Sequence, residues 1–497
     1  MLNFLLLYPD IYICICVLLL LIFCVILNEK LLKLKYKLNT LKFANFFCCL
    51  ILFYAIFILW ETIWYEGYVL NFQFFINKFS FFNKFLVLIL SFFCLISSLK
   101  YLIFEKIKYF EYYILIMLSI LGIWTLICSY DLLTMYLSIE IQSLCFYIIT
   151  SLKMYSNFSV ESAIKYFVLG ALSSGLLLFG CSLIYGFTGT TNFLDFYILF
   201  FFYTLNSYNY FLYFGNLIGL FLLLSALSFK LGIVPFHVWV ADIYEGAPTI
   251  VTIFFATVPQ ISIFSLIIKI NLIFFLAFKK YLTYFFLLLG FLSIMVGTLN
   301  AIKQTKIKRL ITYSGINNIG YIFSLLFSLN CSNYSSSFFY LIIYLLSSFS
   351  LWFFVIILRN YSNFQEIKNI KDLFFLKNNN KFLLIIITIF LFSSMGIPPL
   401  IGFFIKLLFF SEFITNGLYF YSLFLIAISS IAIYYYLKLF QKIYSFSTKK
   451  EIFLIPITKK QSWLLMFLFL LNILFFLWPN YLYLLINNIF LNVFFYG

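Results

Sequence analysis

Charge of any kind is scarce in this chain. Only 10% of its 497 residues are charged, His237 is the single histidine, and arginine occurs twice, as Arg309 and Arg359. One histidine with no carboxylate cluster offers no set of metal ligands. The ten cysteines contain no CxxC pair, which argues against zinc and iron–sulfur frames. Cys14 and Cys16, and Cys48 and Cys49, lie in apolar runs and read as small core residues. Also missing are a glycine-rich phosphate loop with its lysine, a dinucleotide fingerprint and any nucleophile–base arrangement. No redox cofactor is expected in this chain. A cleavable presequence is not expected either, because the first apolar run is too long for one and no basic segment precedes it.

What the chain has in quantity is apolar surface. It is 65% hydrophobic, with 72 Phe and 39 Tyr, and apolar runs of 18 or more residues recur throughout. A helix needs about 20 such residues to cross a hydrocarbon core of about 30 Å. Inside that core every backbone group must be satisfied internally, so many long runs predict a helix bundle. The reading is an all-α polytopic membrane protein with about fourteen spans: 3–27, 43–60, 81–104, 111–129, 131–151, 161–186, 211–234, 249–269, 281–301, 309–329, 336–358, 382–411, 417–440 and 461–490. The break between spans four and five is the weakest in the pattern. A bias to Phe, Tyr and Lys fits an AT-rich, organelle-like genome.

Charge placement orients these spans. Of the 32 Lys and Arg, 23 fall in or beside the odd-numbered loops and five in or beside the even ones (Lys78, Lys84, Lys269, Lys279 and Lys280). Lys165, Lys230, Lys406 and Lys438 lie inside spans. This split predicts odd loops, such as those holding Lys33 and Lys371, on the cytoplasmic or matrix side, with both termini opposite. The net charge of +16 is then topological and not a nucleic-acid footprint.

Four spans carry costly residues. Span five holds Glu140 nine residues in, about 13 Å along the helix and close to the midplane. Span six holds Lys165, followed by Gly170, Gly175 and Gly180, whose spacing favours close helix packing. Span seven holds Lys230 and breaks at Pro235, with His237 two residues on. Span twelve breaks at Pro398 and Pro399, with Lys406 seven residues beyond. Gly232–Pro235 (GIVP) and Gly396–Pro399 (GIPP) lie 164 residues apart, which is five spans. An odd offset reverses orientation, and broken helices at matching places in two inverted halves point to a transport path.

Each residue also has a plainer reading. Lys230 or Lys406 could snorkel to the interface, although both sit in the middle of apolar sequence. Lys165 is nearer a helix end, and Lys438 reads as an interfacial anchor. A carboxylate at mid-membrane costs several kcal/mol unless neutral or paired, and Lys230 is the partner best matched in depth to Glu140. Such a pair is either a proton switch or a structural brace. His237 is either a proton relay or a hydrogen-bonded structural residue.

The blocks DLLTMYLSIEIQSLCFYIITS, SAIKYFVLGALSSGLLLFGCSLIYGFTGTT, FKLGIVPFHVWVADIYEGAPTIVT, QTKIKRLITYSGINNIGYI and MGIPPLIGFFIK resemble the antiporter-like subunits of respiratory complex I. Within that group they are most similar to the subunit 2 family of NADH:ubiquinone oxidoreductase, subunit N in bacteria. The resemblance implies a fourteen-helix fold with two inverted five-helix repeats and discontinuous helices 7 and 12. The expected parts are three N-terminal helices (1–110), the repeats (111–270 and 281–441), and a basic loop with a last helix (442–497). It also implies a proton relay in which Glu140 pairs with Lys230, Lys165 tunes the pair and Lys406 ends the lateral path, with His237 a further candidate. NADH, FMN, iron–sulfur clusters and ubiquinone would then belong to other subunits of a proton-translocating NADH:ubiquinone reductase. The expected partners are other membrane-arm subunits, antiporter-like ones among them, and the bilayer of the mitochondrial inner membrane, with both termini in the intermembrane space. One departure stands out: the family commonly has lysine after ATVP on helix eight, and here that residue is Gln260. Two competing readings are a cation/proton antiporter subunit outside complex I and a non-conducting scaffold within it.

Overall fold

Breaks in hydropathy become breaks in helix. The computed structural model describes residues 2–32, 37–203, 210–328, 330–361, 364–376, 380–444 and 454–496, and Lys33 lies outside them. In chain order the helices are α1 Leu2–Leu32, α2 Lys37–Thr62, α3 Lys78–Phe104, α4 Glu111–Cys128, α5 Leu132–Thr150, α6 Asn157–Thr188, α7 Phe193–Tyr203, α8 Tyr210–Leu231 and α9 Val238–Gly246. They continue as α10 Thr249–Lys303, α11 Ile307–Ser324, α12 Cys331–Ile357, α13 Lys381–Met395, α14 Ile401–Thr415, α15 Tyr419–Tyr444, α16 Lys459–Leu477 and α17 Pro479–Tyr496. Among the described residues, thirteen helical stretches are long and apolar enough to span a membrane. The α13–α14 pair supplies the interrupted twelfth of the expected fourteen.

Local chemistry explains the punctuation. Spans four and five separate at Asp131, whose extended backbone and carboxylate cap α5 by accepting from the Leu133 N–H at 3.0 Å. Spans eight and nine, expected to be joined by a loop, share α10 and part at one non-helical residue, Phe278 (φ −116°, ψ 22°). The last span was expected to run to residue 490. It ends instead at Leu477, because Pro479 lacks the N–H that would continue the helix and starts α17. Among the described residues a short antiparallel hairpin, β1 Gly67–Val69 with β2 Phe74–Ile76, interrupts the helices.

Two compact units divide the chain, Met1–Leu231 with Gly246–Lys279, and Gly232–Glu245 with Lys280–Gly497. Residues 232–245, which the sequence reading placed in the first repeat, group with the second unit for a physical reason. Asp242 and Glu245 form ion pairs with Lys306 and Arg309, and Tyr244 packs edge-on against Trp352.

Loops of the same parity meet. In the first unit Lys153 of loop 5–6 pairs with Glu105 of loop 3–4. The Tyr130 N–H donates to the Gln73 carbonyl at 2.8 Å, and Leu132 N–H to Thr191 at 3.1 Å, joining even loops. In the second unit Lys308 of loop 9–10 bonds Glu366 of loop 11–12 at 3.2 Å, while Asn330 and Ser332 bond Asn416 and Glu412 across even loops. Such pairing requires alternating spans. Lys84 and Lys269, counted from sequence beside even loops, are buried at 1% and 9% exposure, so that face is poorer in free cations than the sequence count.

Of the three glycines expected to pack α6, two do so. A Cβ on Gly180 would come within 2.9 Å of the Gly219 carbonyl on α8, and one on Gly170 would meet Tyr147, but Gly175 faces open space. In lipid such close backbone approach, rather than apolar burial, holds helices together.

Candidate functional site

The two helix breaks share a local design. Both α8 and α13 end at a glycine with left-handed backbone, Gly232 (φ 75°) and Gly396 (φ 81°), where a side chain would be strained. In each case a cis proline follows three residues later, Pro235 and Pro399, with Pro398 preceding the latter, before the next helix begins. Each break leaves the last carbonyls of the helix before it without helical partners.

Lys406 on α14 satisfies one of those carbonyls. Its ammonium donates to the Met395 carbonyl at 2.6 Å, at the negative end of the α13 dipole. The lysine stem lies over Gly396, where a Cβ would come within 2.8 Å of Lys406 Cδ. Beside it is a cavity of about 20 Å³ lined by polar groups including Asn318, Ser347, Ser393 and Ser394, large enough for about one water. A cation, an open helix end and a wettable pocket can hold and pass a proton.

In the first unit Glu140 lies near the middle of α5, about 12 Å along it. Its Oε2 accepts from Ser143 at 3.3 Å, and Oε1 is buried with no hydrogen-bond partner. Lys230 lies in the last turn of α8. Among the described residues no ion pair of 4.0 Å or less joins them, although Lys230 feels the Glu140 charge. The expected pair is therefore separated. It is coupled through the field and not through a direct bond, because matching depth does not rotate two side chains onto each other.

Lys165 is exposed on α6 and pairs with Glu161 one turn earlier at 2.6 Å, among outward-facing Ile164, Phe167 and Val168. Gln260 is 7% exposed within the wholly buried eighth span, and its Oε1 finds no partner. His237, in the second unit, sits immediately before α9 with Nδ1 buried and unbonded. Lys438 donates to the Ile302 carbonyl at 3.2 Å.

Sequence reasoning passed over one feature, the clamp formed by the acidic loop. Arg309 bridges Asp242 (2.9 Å) and Glu245, and Lys306 adds a second bond to Glu245. Asp242 and Glu245 are three residues apart, one helical turn, which was the available signal. Burial alone would raise the Glu245 pKa, but the bonds from Lys306 and Arg309 outweigh it and hold the carboxylate below its ordinary value. The stabilisation is thus complete above the ordinary glutamate range and lost as pH falls through the depressed folded value. Glu245→Gln should loosen α9 by about 1–2 kcal/mol. Amide exchange of Val238–Gly246 should then rise and lose its acid dependence, whereas unchanged exchange would mean the clamp holds nothing.

The comparisons with known proteins agree with this architecture. Residues 129–432 match the family described as NADH:quinone oxidoreductase/Mrp antiporter, transmembrane. The chain is 38% identical over 427 residues to NADH-quinone oxidoreductase subunit N of Pelagibacter ubique, covering 85% of this chain and 86% of that one. It is 38% identical over 413 residues to NADH-ubiquinone oxidoreductase chain 2 of Marchantia polymorpha, covering 82% of each. A chain in the structure of respiratory complex I from Thermus thermophilus with bound aureothin shares the fold, with TM-score 0.76 and 24% identity over 96% of this chain and 98% of that one. With more than half its length matched and two relatives above 30% identity over most of both chains, the chain belongs to the NADH:quinone oxidoreductase/Mrp antiporter transmembrane family.

Proposed function

We propose that this chain is the antiporter-like subunit 2 (N) of the membrane arm of a proton-pumping NADH:ubiquinone oxidoreductase. The observation that carries the reading is the repeated break, Gly232–Pro235 and Gly396–Pro399, with a lysine near each, Lys230 in the last turn before the first and Lys406 in the helix after the second. Relatives named as complex I subunits at 38% identity support the assignment to that complex. Glu140 and Lys230 are its coupled charge switch, and Lys406 its terminal proton site. His237 and Lys165 are secondary members of the path. NADH oxidation, flavin, iron–sulfur and ubiquinone chemistry belong to the other subunits, and other membrane-arm subunits are its partners. The setting is the mitochondrial inner membrane, with odd loops in the matrix.

Purification through a tag on this chain tests the assignment. NADH:ubiquinone reductase activity should co-purify, and a preparation exchanging cations for protons without it would favour the antiporter alternative. Topology has its own test. Single cysteines replacing Tyr155 and Lys371, in a cysteine-free background, should react with an impermeant maleimide from the matrix side alone, and Thr415→Cys from the other side. Labelling of Tyr155→Cys and Thr415→Cys from one side would break the alternation.

A further inference from the structure

The first unit buries a second charged group that the path above does not use. Lys84 of α3, 1% exposed, donates to Asp10 Oδ2 of α1 at 2.6 Å. Its ammonium lies 5.1 Å from the Trp124 ring centroid and beside the Cys128 thiol, both on α4. That thiol also lies in the field of Lys269 of α10, whose ammonium donates to the carbonyls of Ile127 and Ser129, the latter at 3.1 Å. These carbonyls flank Cys128 in the chain. Asp10 Oδ1 is buried without a partner.

A structural brace would need one cation for one carboxylate. Here two lysines share the neighbourhood and repel each other, which raises the cost of burial without adding a bond between the helices. Depth supplies the second argument. Asp10, Lys84 and Lys269 lie five or six residues from the ends Leu5, Lys78 and Phe275 of their spans, about 8–9 Å of rise. All three ends are on the even-loop face. Lys269 also follows Gln260 on the same helix by about 13 Å. Span eight therefore has no titratable group at residue 260 and carries a buried lysine nearer that face.

We infer that Asp10, Lys84 and Lys269, with Cys128 beside them, form a proton-release site opening on the even-loop face of the first unit. The inference rests on the proton-conducting reading above. A proton reaching the Lys269 amine makes an ammonium held by the Ile127 and Ser129 carbonyls. The Lys84 ammonium gives its proton to the Asp10 carboxylate, leaving amine and acid. Asp10, at 13% side-chain exposure against 1% for Lys84, is the member nearer water, and the acid loses its proton there. Lys269 then reprotonates the Lys84 amine by way of the Cys128 thiol or a water, so one proton enters and one leaves.

Asp10→Asn and Lys269→Gln are to be compared in sealed membranes holding the complete complex. NADH-driven proton translocation per electron should fall about twofold or more, with uncoupled electron transfer to ubiquinone unchanged. Because Asp10→Asn strands a buried Lys84, the double variant Asp10→Asn, Lys84→Gln keeps shape and removes both charges. Parental proton yield in the double variant and in Lys269→Gln, or failure of the double variant to assemble, would make the cluster a brace and overturn the proposal. Glu140→Gln in parallel separates the two ideas. If it stops pumping while the Asp10 variants do not, the release site alone falls. If it too pumps normally, the path reading fails and takes the release site with it.

Discussion

Glu140→Gln should assemble normally and lose most coupled turnover, by about tenfold or more. The amide keeps the shape of the side chain and its bond to Ser143 Oγ, which accounts for the one hydrogen bond the carboxylate makes. What disappears is charge and titration. At an effective dielectric near 20, opposite charges about 6 Å apart interact by about 3 kcal/mol. That is roughly a hundredfold bias between the two protonation states of Lys230. Without it the two sites titrate independently, and a proton on one no longer moves a proton on the other. Glu140→Asp, shorter by one methylene, should retain part of the coupling, because a field acting over several ångströms does not require contact. Pumping at parental levels with Gln at this position would exclude the switch. The measurement is proton uptake per NADH oxidised, with blue-native gels to confirm assembly.

The second large effect is expected at Gln260. This position is 7% exposed in a span whose apolar stretch is wholly buried, and the Oε1 of its amide has no protein partner. Leaving such an atom unsolvated costs about 1–3 kcal/mol, so a water there is favoured. Gln260→Leu removes the anchor and should slow coupled turnover by about tenfold if water carries the proton past this point. Gln260→Lys installs the lysine that the resemblance led one to expect but places a second cation in the unit that holds Lys230. Two charges about 6 Å apart repel by about 3 kcal/mol at an effective dielectric of 20. The installed lysine should therefore slow the chain rather than improve it. If Gln260→Leu pumps like the parent, the position is packing, the path bypasses span eight, and a scaffold reading of this subunit becomes the better one.

Much of this architecture was legible because a bilayer imposes simple rules. Length and apolarity marked the spans, lysine placement marked the loops, and Gly-x-x-Pro marked both interruptions. What the sequence hid was rotation and long-range company. Glu140 and Lys230 agree in depth, yet nothing in a one-dimensional pattern says whether their side chains face each other, and no direct ion pair joins them. Lys84 and Lys269 read as loop cations because their partners, Asp10 and Ile127, stand 74 and 142 residues away. The helix α7 was read as loop because a short apolar segment beside a polar stretch has no clear period. In the fold its Phe196 and Phe200 rings pack at a tilt against Phe274, with centroids 5.9 and 4.9 Å away. Lys165 was the opposite case. The i, i+4 spacing from Glu161 is visible in the sequence, and the local pair it predicts is the contact Lys165 makes.

The bond from Lys406 to the Met395 carbonyl also constrains how this chain can change over time. The lysine stem needs the space above residue 396, and that residue needs a left-handed backbone, so any side chain there is opposed twice. The Lys406 stem could make room for a side chain at 396 only by swinging away from the Met395 carbonyl, and the left-handed backbone would stay strained even then. The two positions are thus one heritable unit. Neither change has a viable single-step intermediate, and drift at this break should proceed through the surrounding apolar residues while Gly396 and Lys406 stay fixed together.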